Sequence, residues 1–164
     1  MTLDFKDPAI FAAWFSVNDN VMGGVSQGGL TRTPDGTAVF SGVLSFRNNG
    51  GFSTIQADFR APQDWSAADG IWLRVRGDGK RYGVYLRDSL QPLRYEATFE
   101  TVRGEWMTVQ LPFTAFYPTY FGQRVRAKAL DPSRIQSMSV LIEYQQEGAF
   151  ALELAALGTT PEQV

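Results

Sequence analysis

The chain has 164 residues, a formal net charge of −2 and 44% hydrophobic residues, which suits one domain with a packed core. That charge balance argues against a nucleic-acid or anionic-membrane partner held by bulk attraction. The absence of His and Cys removes imidazole bases, Cys nucleophiles, Ser-His-Asp triads, ordinary zinc sites and disulfides.

In chain order, the first fifteen residues carry Asp4 and Asp7 and lack a basic segment followed by an apolar run. A signal or transit peptide is not expected, and no apolar run approaches the ~20 residues of a membrane span. The expected address is the cytoplasm, with no direct membrane insertion. Asp7-Pro8 reads as an N-cap with Pro at the first helical position, so one short helix is expected at residues 9–12.

Beyond it the hydrophobic period is two. Ile71, Leu73 and Val75 alternate with Trp72, Arg74 and Arg76, and the same rhythm runs through 82–87, 106–111 and 140–145. Further strands are expected at 25–31, 38–46, 52–59, 95–101 and 149–155. Gly77-Asp78-Gly79 has the composition of a hairpin turn, and Arg103-Gly104 marks a second turn. Many short strands with scattered Gly predict an all-β chain, a jelly-roll β-sandwich with one short N-terminal helix. A single domain is expected over 1–158, with a frayed C-terminal tail from 159 to 164. Residues 112–136, interrupted by three prolines, read as a long aromatic connection.

No phosphate-binding loop or dinucleotide fingerprint is present, and no nucleotide or other cofactor is expected. Asn18, Asp19, Asn20, Asn48, Asn49 and Asp78 offer oxygen ligands, but Asn/Asp-Gly clusters are ordinary turn chemistry, and no metal is assigned. Arg76-Gly77-Asp78 spells an adhesion tripeptide and is read as a turn. Asp19, Asp78, Glu96, Glu100, Glu143 and Glu147 are the acid/base candidates. Of these, Glu96 and Glu143 have the parity to share a sheet face.

The pleat sends Ile71, Leu73, Val84, Leu86, Met107, Val109, Val140 and Ile142 inward. The outward set is then Trp72, Arg74, Arg76, Tyr85, Arg87, Glu96, Trp106 and Glu143, read as one binding face. Trp, Tyr and Arg concentrate at recognition surfaces. Phe113, Phe116, Tyr117, Tyr120 and Phe121 form either a second interaction surface or a roof over that face.

VNDNVMGGVS after Trp14, then FSGVLSFRNNGGFSTIQ, RVRGDGKRYGVYLR, EWMTVQLPFTAFYPTYFGQRV and EGAFALEL, resemble the complex I intermediate-associated protein 30 family from about Trp14 to Leu154. The resemblance implies a galactose-binding-like jelly roll, related in fold to carbohydrate-binding modules. It also implies a non-catalytic role as an assembly chaperone for respiratory complex I. The short N-terminus points to a free-standing bacterial member. Asn18, Asp19, Met22, Gly23, Gly24, Ser26, Asn48, Asn49, Gly50, Gly51, Phe52, Gly77, Asp78 and Gly79 are then loop residues that shape the fold. The partner is expected to be a protein client, such as a membrane-complex assembly intermediate. The alternatives are a carbohydrate or other small sugar-like ligand and, remotely, a carboxylate-dependent hydrolase.

Overall fold

The computed structural model describes residues 1–18, 27–45, 51–143 and 146–160, with the side chains of Asn18 and Gln27 excepted. Among these residues, thirteen strands and one α-helix run in the order β1 (2–4), α1 (8–12), β2 (14–18), β3 (27–32), β4 (38–44), β5 (53–63), β6 (70–76), β7 (81–88), β8 (94–100), β9 (106–112), β10 (117–120), β11 (123–124), β12 (135–142) and β13 (148–159). They form two antiparallel sheets. One runs β3-β4-β13-β6-β9 with β1 added against β13, and the other runs β11-β10-β8-β7-β12-β5-β2. Stacked face to face, they make the jelly-roll sandwich.

The expected helix forms as its signals require. Asp7 caps it by accepting from the Ala9 amide at 2.9 Å, and Pro8 starts it. The inward parity of the long strands also holds. Ile71, Leu73 and Val75 of β6 meet Val84 and Leu86 of β7 and Met138 and Val140 of β12 in one fully buried core. Each such side chain contributes about 1.5–3 kcal/mol by leaving water. Met107 is the exception, packed against the core but only half-buried.

Four short strands go beyond the periodicity: β1, β2, β10 and β11. They lie at sheet margins and are too brief to show a period. The segment read as a long connection, 112–136, instead contributes two of them, and β10 pairs with β8 to extend the seven-stranded sheet.

Gly77-Asp78-Gly79 is not a hairpin. It carries the chain from β6 in one sheet to β7 in the other. At this corner a Cβ on Gly77 would lie 2.3 Å from the Thr101 Cβ, so no side chain fits. Asp78 accepts from the Lys80 amide and the Tyr82 hydroxyl through Oδ1, and from the Ala151 amide through Oδ2.

The chain end is ordered further than its composition implied. Thr159 pairs with Ile71, and its hydroxyl accepts from the N-terminal ammonium at 3.0 Å. The Thr160 amide donates to the Gly70 carbonyl. These cross-links hold two residues expected to fray.

Candidate functional site

The sandwich divides the expected binding face between two sheets. Trp72, Arg74, Arg76 and Trp106 lie on β6 and β9, on the outer side of the six-stranded sheet. Tyr85, Arg87, Glu96 and Glu143 lie on or just beyond β7, β8 and β12, on the outer side of the seven-stranded sheet. Parity gave the side of each strand correctly, but it carries no information about which sheet a strand joins.

The six-stranded face is largely self-satisfied. Arg76 pairs with Glu153 at 2.6 Å, and the Arg74 and Arg76 guanidiniums lie 5.7 and 5.2 Å from the Trp106 ring centre. Trp72 is buried although it points outward. The chain start lies beside it. A Cβ on Gly158 would stand 3.0 Å from the Trp72 indole nitrogen and 2.3 Å from the Met1 carbonyl oxygen.

The seven-stranded face is built in rows. Register aligns Tyr117, Glu96, Tyr85, Ser139 and Gln56 across β10, β8, β7, β12 and β5. The next row aligns Arg124, Thr119 and Arg94 across β11, β10 and β8. Arg87 stands beside Arg94, one step beyond the Leu86–Tyr95 pair. The Arg94 and Arg124 guanidiniums lie over the rings of Tyr85 and Tyr117, at 5.7 and 4.6 Å.

Tyr117 donates to Glu96 Oε2 at 2.8 Å, and Tyr85 hydrogen-bonds the Glu143 carboxyl. Burial, reinforced by the charge on Glu96, pushes the Glu143 carboxyl up to about 7, against the lowering effect of the Tyr85 bond. Burial and the two carboxylates push the Tyr85 hydroxyl upward, and burial and Glu96 push Tyr117 up to about 12. Both phenols are therefore neutral donors at physiological pH.

A groove crosses this face beneath the β10–β11 hairpin tip. Tyr85, Arg94, Phe121 and Gly122 border both of its lobes. One lobe, about 230 Å³, extends to Arg87, Pro92, Thr119 and Tyr120. The other, about 210 Å³, extends to Phe52, Thr54, Leu141 and Glu143. Glu143 thus lines the groove, whereas Glu96 lines neither lobe. The two acids share a face, but only one of them looks into the open space.

The hairpin tip is unusual. Tyr120 pairs with Gln123, leaving a two-residue loop of Phe121 and Gly122 with φ of 49° and 76°. Two positive φ values are the pattern of a type I′ turn, which favours Asn-Gly. A bulky aromatic there costs roughly 1–2 kcal/mol. Phe121 nevertheless holds the position, 83% exposed, with its ring edge-to-face on Tyr120.

The expected aromatic surface at 113–121 is therefore split. Phe116 is buried in the core and Phe113 packs against it, while Tyr117, Tyr120 and Phe121 belong to the groove face. Among the family-motif positions, Gly51 has φ of 132°, Phe52 lines the second lobe, and the backbone of Asn18 pairs with Ser53. Asp19, Met22, Gly23, Gly24, Ser26, Asn48, Asn49 and Gly50 lie outside the described residues. Arg94, Arg124, Thr54 and Leu141 join the site without having been singled out. Arg94 shares parity with Glu96, and that was the available signal.

Residues 3–154 match the family model described as Complex I intermediate-associated protein 30. The chain belongs to that family. An uncharacterized Schizosaccharomyces pombe protein is 30% identical, over 91% of this chain and 78% of its own length. The mouse mitochondrial complex I intermediate-associated protein 30 is 26% identical, over 94% of this chain. The chain spans 54% of that mouse protein and 46% of the corresponding Caenorhabditis elegans protein. Among solved structures, the family 11 carbohydrate-binding module of a Clostridium thermocellum cellulosomal cellulase aligns with TM-score 0.65 at 16% identity, covering 92% of this chain and 90% of the module. The same type of module in complex with a mixed-linked tetrasaccharide aligns at 0.63, again at 16% identity, covering 88% of each chain. An agarase aligns at 0.66 and 11% identity, over 99% of this chain but 25% of the agarase. These likenesses establish the shared galactose-binding-like fold. Among the described residues, no helix is long and apolar enough to cross a membrane.

Proposed function

We propose that this chain is a non-catalytic, protein-binding assembly factor that holds its client against the outer face of the seven-stranded sheet. The observation that carries the reading is Phe121, an exposed aromatic kept in a strained turn at the lip of a groove lined by Tyr85, Arg94 and Tyr120. The edge-to-face contact with Tyr120 offsets only part of that strain, and a contact with a partner supplies the reason for an aromatic there. Membership of a family named for complex I intermediates supports a protein client drawn from such an intermediate. Among the described residues that line the groove, Glu143 is the one acid, which supports binding over two-carboxylate hydrolysis.

Photo-crosslinking tests this. A benzoylphenylalanine in place of Phe121 is expected to capture subunits of respiratory complex I or of its intermediates. The same probe in place of Val43, exposed on the other sheet, is the control. Identical capture from both positions, or none from position 121, rejects the reading.

A sugar-like ligand is the second reading. It is favoured by tyrosine and phenylalanine rings around a polar groove on a fold shared with a module seen with a tetrasaccharide. A rise in melting temperature with millimolar mixed-linked glucan oligosaccharide would support it, and an unchanged melt would remove it.

A further inference from the structure

Arg87, Arg94 and Arg124 stand in one row on the seven-stranded face, all exposed. Like charges placed side by side across strands destabilise a sheet. The described neighbouring acids form no ion pair with them; Glu143, which shares the second lobe with Arg94, is hydrogen-bonded to Tyr85. Asp88 accepts from the amides of Leu90, Gln91 and Asp131, Glu96 accepts from Tyr117, and Asp58 accepts from Gln56. Among the described residues, none of the three guanidiniums has a carboxylate within ion-pair distance; the pair that does form, Arg76–Glu153, belongs to the other sheet. Arg87 and Arg94 also line the lobe that Phe121 overhangs. The chain as a whole carries a net charge of −2, so this cationic row is a local feature and not a by-product of a basic protein.

We propose that the Arg87–Arg94–Arg124 row is the docking stripe for an extended acidic segment of the protein client. The row crosses four strands, a span of roughly 15 Å at ~4.8 Å per strand. An extended peptide covers that distance in about five residues at ~3.3 Å each. Alternate Asp or Glu side chains of such a segment meet guanidinium forks suited to carboxylates. Intervening apolar side chains meet Phe121 and Tyr120. The proposal rests on the protein-client reading and names the chemistry of that client.

Fluorescence anisotropy with a labelled eight-residue peptide of alternating Glu and Ser tests the stripe directly. The wild-type chain is expected to bind it, with affinity falling as salt rises. The double variant Arg87→Gln/Arg94→Gln should weaken binding about tenfold or more, Arg124→Gln less, and Arg103→Gln, on a distant turn, not at all. A peptide with Lys for Glu should not bind. Thermal melts confirm that the variants fold, as these exposed positions permit. No binding of the Glu peptide, or binding unchanged in the double variant, overturns the proposal. Binding of polygalacturonate without binding of the peptide also overturns it and makes the occupant an acidic polysaccharide. Crosslinks from position 121 that persist in the double variant leave the client reading standing while the stripe falls. Peptide binding without any protein crosslink rejects the client reading and leaves an acid-binding groove.

Discussion

Tyr117 and Glu96 face each other across the β8–β10 pair, the phenol donating to the carboxylate at 2.8 Å. Glu96 is almost fully buried, so this bond satisfies a charge that has little water to turn to. Tyr117→Phe keeps the ring under Arg124 and deletes only the donor. The variant is expected to lose about 1–2 kcal/mol of unfolding free energy, read by urea denaturation. A loss indistinguishable from zero would show that the carboxylate is held by other partners.

Glu143 predicts a pH dependence of stability. Its folded-state carboxyl titrates near 7, above the reference 4.5. Between those values the native chain holds a proton that the unfolded chain has released. Stability therefore falls as pH rises from about 4.5 to about 7, and this contribution is level above that window. At about 1.4 kcal/mol per pH unit the full effect is on the order of 3 kcal/mol. Glu143→Gln should flatten the slope. If urea midpoints of wild type and variant run parallel from pH 4.5 to 7.5, the carboxyl keeps its ordinary titration in the folded chain.

Asp78 ties the sheet-to-sheet corner together through two backbone amides and a tyrosine hydroxyl. Asp78→Ala should cost about 2–4 kcal/mol, because all three donors lose a charged acceptor. Asp78→Asn should cost less. A thermal melt of Asp78→Ala within a degree of wild type would contradict a structural role for this aspartate.

Trp106 separates the two faces. Its ring lies against Arg74 and Arg76 on the six-stranded sheet, away from the groove. Trp106→Ala should change stability by about 1 kcal/mol, since the ring is only half-buried and its cation–π contacts lie at the edge of solvent. It should leave the crosslinking pattern from position 121 intact. Loss of those crosslinks in the variant would move the recognition surface to the other sheet.

Much of this fold was legible because its period is strict. The inward set on β6, β7 and β12 follows from alternation alone, and Asp7-Pro8 announces the helix. The assignment of strands to sheets was not legible. Trp72 and Tyr85 share a parity, but hydrogen bonds to strands distant in the chain place them on different sheets. The Gly77-Asp78-Gly79 corner misled for the same reason, since a tight turn has one composition whether it folds a strand back or passes it to the facing layer. Half of the site was within reach. Tyr85, Arg87, Glu143 and Phe121 were named, whereas Arg94 and Arg124 sit at the start of a strand and on a two-residue strand, where alternation is hardest to see.

The most C-terminal of the described strands, β13, lies in the interior of its sheet, with β4 and β1 on one side and β6 on the other. Until it arrives, β4 and β6 have no partner between them, and their hydrogen-bonding edges stay open to other chains. Refolding should therefore be slow, and a nascent chain halted before residue 148 should be especially prone to aggregate.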